Sequence, residues 1–182
     1  RLMEQTGLLA LFLPELARCR GVEQKGFHRF DVLDHSFLVC AACPSGSGSL
    51  HIRLAGLFHD IGKPEVRQQT GDGSYTFYRH EIVSEKLTRA IMQRLKYANA
   101  EIEKTAHLVA QHMFHYEQSW TDAAVRRFIV RIGKESIDDL FALRQADTYG
   151  LAGVPVEPIL LAEFAAHIDA VLKADGAYSL KD

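Results

Sequence analysis

The sequence predicts an all-α protein, a bundle of about seven helices with one small inserted β-hairpin. Three observations carry this. Apolar residues recur at i, i+3, i+4 and i+7 through most of the chain. The interruptions are short and contain Gly, Pro, Asn or a capping Thr. A strand-like pattern occurs once, between Val66 and Tyr78, on either side of Gly71-Asp72-Gly73. A chain of 182 residues can bury a proper core, and nothing demands a second one.

Taken in order, Leu2, Leu8, Leu9, Leu11, Phe12 and Leu13 lead into Pro14 without a start signal, as in a segment cut from a longer protein. Val32 to Cys43 reads as an amphipathic helix entered through Asp31 or Asp34. Pro44 to Ser49 is a Gly/Ser-rich connection, the place where disorder is expected. In the next helix Leu54, Leu57, Phe58 and Ile61 share one buried face, and Gly62 and Pro64 are expected to stop it. After the hairpin, Ile82–Tyr97, Glu101–Phe114, Asp122–Ile132, Ser136–Tyr149 and Glu157–Lys173 carry helical periodicity. Asn99, Trp120-Thr121, Gly133 and Gly150-Gly153-Pro155 separate them. No internal repeat is evident.

A net charge of -2 and a hydrophobic share of 47% give no bulk attraction to nucleic acid or anionic membrane. No apolar run reaches the length of a membrane span and no signal sequence opens the chain, so a cytoplasmic protein without membrane contact is expected. Cys19, Cys40 and Cys43 are an odd set, which argues against a disulfide framework and agrees with a reducing compartment. Cys40 and Cys43 make one C-x-x-C, but only Cys19 and His51 stand nearby as further zinc ligands; buried thiols on a helix are the expectation.

His59 and Asp60 place an imidazole and a carboxylate on consecutive residues at the end of an apolar helix. They project about 100° apart by helical pitch, yet a long His and a short Asp can converge on one ion of a kind that accepts nitrogen and oxygen ligands. A bare His-Asp pair is a common accident, so the other helices decide. A charged or imidazole side chain on a buried stripe has to be paired, hydrogen-bonded or metal-bound. Asp147 follows Leu140, Leu143 and Arg144 on one inward stripe, either as a ligand or in a salt bridge to Arg144. His112 lies on the stripe of Leu108 and Val109, whereas His107 sits between Glu103 and Gln111 and is expected to be solvated. His80 shares a face with Val83, Leu87 and Ile91, as a ligand or a satisfied core histidine. His35, beside Asp34 at a helix start, is left free by this pattern to turn inward or outward. His115 either extends the site or faces solvent, and His28, His51 and His167 have no setting that assigns them a role.

With His35, His59-Asp60 and Asp147 in that order, the chain resembles the HD superfamily of metal-dependent phosphohydrolases, which carry H...HD...D on separate helices of one bundle. Gly26 to His35, Arg53 to Pro64, Phe77 to Glu81, Trp120 to Phe128 and Leu143 to Asp147 resemble the HD region of bacterial polynucleotide nucleotidyltransferases. These are the CCA-adding tRNA enzymes and their poly(A) polymerase relatives. Tyr178 to Asp182 resembles the start of that family's next segment. The resemblance implies the end of a neck region over residues 1–20 and an HD domain over 21–182. The family's Gly-Ser turn with Asp-x-Asp, and its Glu-Asp-x-x-Arg motif, are not in this sequence, so nucleotide addition is not expected of it as it stands. The alarmone-hydrolase branch has an acidic pair where this chain has Ile61-Gly62-Lys63-Pro64, and the cyclic-dinucleotide branch adds a Gly-Tyr-Pro motif that is not found here.

Three readings follow. As an enzyme, the chain would hold a divalent ion (Mn, Fe, Co, Ni or Mg) on His35, His59, Asp60 and Asp147 and direct an activated water at phosphorus. His80 and His112 would bind a second metal or orient the phosphate, and Lys63 or Arg144 would neutralise charge in the transition state. By resemblance the substrates are 2′,3′-cyclic phosphodiesters, nucleotide phosphomonoesters or RNA phosphate. As a binding module, the bundle would support tRNA through Arg126, Arg127, Arg131 and Lys134, a cluster that is otherwise a solvated face. As a relic, it would space other domains.

Overall fold

The computed structural model describes residues 1–24, 29–154 and 160–179. Three short helices open the chain: α1 (Leu2–Gln5), α2 (Leu8–Phe12) and α3 (Pro14–Ala17), the last begun by a proline whose missing N–H costs nothing in a first turn. Leu9, Leu13 and Leu16 enter the same buried cluster as the rest of the chain, while Leu11 is 84% exposed. Glu15 of α3 reaches Arg94 at 2.6 Å.

Asp31, not Asp34, caps α4 (Val32–Ala42): its carboxylate accepts the Asp34 N–H at 2.8 Å. Asp34 instead pairs with Arg20 at 2.7 Å, which leaves His35 to turn inward. Pro44–Ser49 forms an ordered turn, with the buried Ser49 hydroxyl donating to the Gly46 carbonyl at 2.8 Å. α5 (Leu50–Phe58) ends at His59, so the His-Asp pair lies just past the helix. Gly62 and Pro64 do not simply stop it. Pro64 sits in the first turn of α6 (Lys63–Val66), and Gly62 has an ordinary φ of -82°. What Gly62 provides is contact: a Cβ there would lie 2.6 Å from the Ser84 nitrogen and 2.8 Å from the His80 oxygen.

The hairpin is small, with β1 (Gln68–Gln69) antiparallel to β2 (Tyr75–Thr76) in the register Gln68↔Thr76 and Gln69↔Tyr75. α7 (His80–Arg94), α8 (Asn99–Gln111), α9 (Asp122–Ile132), α10 (Ile137–Ala152) and α11 (Leu161–Ser179) follow. Boundaries read from periodicity shift by a few residues, except for α9, where Thr121 caps the first turn through the Ala124 N–H. The break expected at Pro155 lies outside the described residues, as do His28 and the chain's final three residues.

Helix pairing explains the site. α4 packs on α5 and α10, α5 also packs on α8, and α8 packs on α7, so five helices converge at one level of the bundle. At Gly150 of α10 a Cβ would meet Val39 at 2.5 Å and the His35 ring at 2.9 Å, so this helix lies directly on α4. α9 and α11 pair at the other end, over an aromatic cluster of Phe114, Tyr116, Trp120, Phe128, Phe141 and Phe164. Among the described residues no helix is long and apolar enough to cross a membrane.

Candidate metal centre

His35 comes from α4, His59 and Asp60 from the turn after α5, His80 from the start of α7, His112 from the end of α8 and Asp147 from α10. All are buried except Asp147, whose side chain is 21% exposed. The structure brings these six together. His35, His59 and Asp147 form one group of ligand atoms and Asp60, His80 and His112 a second. Asp60, a member of the second, also approaches the first. Its Oδ2 lies 3.2 Å from His59 Nε2 and 3.6 Å from His35 Nε2, and its Oδ1 lies 3.0 Å from His80 Nε2 and 3.8 Å from His112 Nε2. Asp147 Oδ1 stands 3.1 Å from His35 Nε2 and 3.6 Å from His59 Nε2.

The donor chemistry fits divalent ions. Ligands at about 2.1 Å around an octahedral ion stand roughly 3 Å from their neighbours, and here two imidazole pairs meet at 3.1 and 3.2 Å through Nε2. The orientation is built in. Nδ1 of His59 donates to the Gly56 carbonyl at 2.9 Å, that of His80 to Phe77 at 2.9 Å and that of His112 to Val109 at 2.7 Å, which turns each Nε2 lone pair inward. Burial, aided by the His59 charge, pushes the His112 pKa down to about 3, so it stays a neutral donor. Burial alone would lower His59, but the Asp60 and Asp147 carboxylates outweigh it and raise the net value. Burial likewise opposes the charge on Asp60, and His59 and Lys63 hold it well below the usual carboxylate range.

Lys63 is buried, with Nζ 2.6 Å from Asp60 Oδ2 and 2.5 Å from Gln24 Oε1. Arg144 is placed differently from the expectation. It does not line the cavity and makes no ion pair with Asp147; its guanidinium donates to the His112 and Phe114 carbonyls at 2.8 and 2.6 Å and stacks over Phe114. These carbonyls follow the end of α8, where backbone acceptors lack helical partners, so Arg144 holds the segment that carries His112. His115 is exposed and pairs with Glu117, outside the centre.

The remaining histidines correct the reading from spacing. His107 is half-buried and donates to the Ile132 carbonyl at 2.7 Å, so it is not a free solvated residue. His51 is buried against Asp139 at 2.7 Å, and His167 meets Asp122 and Tyr116. All three sulfurs are free thiols, and burial raises their pKa values, to about 12 for Cys19 and Cys43. Of the basic cluster, Arg126 is bound to Asp175 of α11, whereas Arg127, Arg131 and Lys134 are exposed.

Above the centre opens a cavity of about 810 Å³, a size typical of small-molecule sites. Gln24 and the segment from Tyr75 to Arg79 line it; the sequence marked Phe77 to Glu81 by resemblance only and gave Gln24 and Tyr75 to Arg79 no site role. The usable signal was position, since the hairpin directly precedes His80.

This bundle, with its histidines and aspartates on converging helices, belongs to the HD domain family, whose model matches residues 32–171. HD domains bind divalent metals, and this chain has the His/Asp groups for it. The chain is 37% identical over 154 residues to the A-adding tRNA nucleotidyltransferase of Deinococcus radiodurans, covering 83% of this chain and 35% of that protein. It is 35% identical over 162 residues to the CC-adding tRNA nucleotidyltransferase of Thermus thermophilus, covering 86% and 36%. A multifunctional CCA protein of Azoarcus is 34% identical over 113 residues, covering 61% and 26%. The chain thus spans about a third of the length of the first two relatives.

Proposed function

We propose that this chain is a divalent-metal-dependent phosphohydrolase module of a protein in the tRNA nucleotidyltransferase and poly(A) polymerase family, acting on nucleotide or 2′,3′-cyclic phosphoesters. The observation that carries the reading is that Asp60 stands between two ligand groups, one with His35, His59 and Asp147 and the other with His80 and His112. In this proposal His35, His59, Asp60 and Asp147 hold one ion, and His80 and His112 join Asp60 at a second. When bound, such ions supply a Lewis acid and a water of lowered pKa. The protein's own part is orientation: three backbone carbonyls fix the imidazoles of His59, His80 and His112, and Lys63 fixes Asp60. Lys63 also places a positive charge beside the reaction centre, suited to a phosphate in the transition state. Residues 1–20 would be the end of the parent's neck and 21–182 its HD domain, in a cytoplasmic protein.

The test is metal analysis of protein purified without chelator, followed by hydrolysis of a 2′,3′-cyclic nucleotide and a generic phosphodiester with Mn²⁺, Fe²⁺, Co²⁺, Ni²⁺ and Mg²⁺. Retained metal with turnover is expected. Retained metal with no turnover under any ion would leave a scaffold.

A second reading, tRNA support beside the parent's other domains, is favoured by the exposed Arg127, Arg131 and Lys134 and by the relatives' tRNA substrates. In this reading Arg126 contributes less, because Asp175 already neutralises it. Replacing Arg127 and Arg131 together should weaken tRNA binding uniformly across sequences and reduce its salt slope by about two. Unchanged binding assigns the cluster to ordinary surface.

A further inference from the structure

Residues 75 to 82 form a continuous stretch of the cavity lining over the metal centre. Phe77 packs toward the core, and its carbonyl accepts both the backbone N–H of His80 at 3.2 Å and the His80 ring Nδ1–H at 2.9 Å. That tight turn leaves the two intervening residues outside it. Tyr78 is an aromatic residue 82% exposed at the cavity, and Arg79 is exposed in the left-handed conformation, φ 61° and ψ 28°. Neither feature is accounted for by packing: an exposed ring gains nothing from burial, and a non-glycine residue at positive φ is strained.

The other cations near the centre are committed. Lys63 is held by Asp60 and Gln24, and Arg144 by two carbonyls. Among the described residues no carboxylate is bonded to Arg79, although Glu81 shares the wall. A planar cation and an aromatic face on adjacent residues, one step before a ligand histidine, match the two non-reacting parts of a nucleoside phosphate. A guanidinium takes phosphate oxygens two at a time, and a tyrosine ring stacks on any base.

We propose that Tyr78 and Arg79 are the specificity-determining pair of this cavity, Tyr78 stacking on the nucleobase and Arg79 binding phosphate oxygens of a nucleoside phosphate, free or at the end of an RNA strand. This rests on the phosphohydrolase reading for the orientation of the ligand, but its test does not depend on turnover.

Chelator-treated protein, which cannot consume the ligand, is titrated calorimetrically with adenosine monophosphate, ribose 5-phosphate, adenosine and an RNA trinucleotide ending in a 3′-phosphate. Wild type should bind adenosine monophosphate about tenfold or more tightly than ribose 5-phosphate. Tyr78→Ala should abolish that preference and Tyr78→Phe should keep it. Arg79→Asn, which tolerates the left-handed conformation, should weaken both phosphates several-fold and leave adenosine unchanged. The trinucleotide binding more tightly than the mononucleotide would identify an RNA end as the ligand; the reverse would identify free nucleotide. Equal binding of adenosine monophosphate and ribose 5-phosphate in wild type, or an undiminished preference in Tyr78→Ala, overturns the proposal. If the preference behaves as stated but no ion supports hydrolysis, the phosphohydrolase reading fails and this one stands.

Discussion

The two ends of α10 solve opposite problems with the same helix. At one end Asp147 joins four histidines and Asp60 in a polar cluster that is almost wholly buried; at the other, Phe141 stacks on Phe114 at 5.7 Å beside Phe128 and Phe164. The aromatic end is held by area and needs no ion. The polar end concentrates charges whose burial is unfavourable unless each is paired, and its members meet as acceptors and lone pairs around two points. One region supplies stability, and the other draws on it. Arg144 stands between them, over the Phe114 ring and on the carbonyls that follow α8.

The largest effect expected from separating the regions is on metal. Asp60→Asn removes the carboxylate that stands between both groups, so metal content and hydrolysis should fall by orders of magnitude, and the chelator-treated variant should melt below chelator-treated wild type because buried Lys63 loses its anionic partner. Metal at a hundred times its Kd should stabilise wild type by about 2.7 kcal/mol, and this increment should vanish in the variant. A metal-dependent melting shift of wild-type size in Asp60→Asn would break the assignment.

Phe164→Ala should do the reverse. Deleting a ring with no exposure costs about 3–5 kcal/mol, a drop on the order of 10 °C by calorimetry, yet the stabilisation by metal should survive. Losing both together would show that the regions fold as one unit. Arg144→Gln tests the link. It leaves two carbonyls without their guanidinium, with an expected cost of about 1–3 kcal/mol, and it should also loosen metal binding several-fold through His112. Its effect should be non-additive with changes at Phe114, read from a double-mutant cycle.

The smallest effect concerns the N-terminal segment. Arg94 beside Glu15 holds its carboxyl below the ordinary value, although burial opposes this. Stability from a depressed carboxylate is present above its unfolded pKa and is lost as pH falls through the folded one. Glu15→Gln should therefore flatten the acid limb of the stability profile and cost under about 1 kcal/mol near neutrality. An unchanged acid limb would remove this pair from the account of how α3 is held.

Sequence reached the polar end further than the aromatic one, for a physical reason. Few residue types hold a metal, and a histidine or aspartate on an apolar stripe is conspicuous, so His80, His112 and Asp147 could be picked out singly and His59-Asp60 as a pair, whereas His35, which the pattern left open, came from the resemblance. That Asp60 divides its two oxygens between groups depends on helix pairing, which periodicity does not encode. The aromatic cluster was invisible because many apolar combinations fill the same space. His107 shows the limit of a face-by-face reading: its neighbours Glu103 and Gln111 suggested solvent, but its partner is the Ile132 carbonyl, 25 residues away. Arg144 failed similarly, since carbonyls past a helix end leave no mark in residue type.

Gly62 and Gly150 carry a consequence beyond packing. Gly62, just before α6, meets the α7 backbone directly, and Gly150 lets α10 rest on the Val39 and His35 side chains of α4, so each behaves as a shim of zero thickness beside a ligand-bearing segment. Adding one methyl group at Gly150 would press on Val39 and on the His35 ring itself, so that either the ring or α10 must shift and the spacing of Asp147 and His35 must change. Ligand distances differ by some tenths of an ångström between small and large divalent ions, roughly 2.0–2.1 Å for Mg²⁺ against 2.3–2.6 Å for Ca²⁺. Ionic radius could then be tuned from outside the coordination sphere, by the thickness of a spacer on a neighbouring helix.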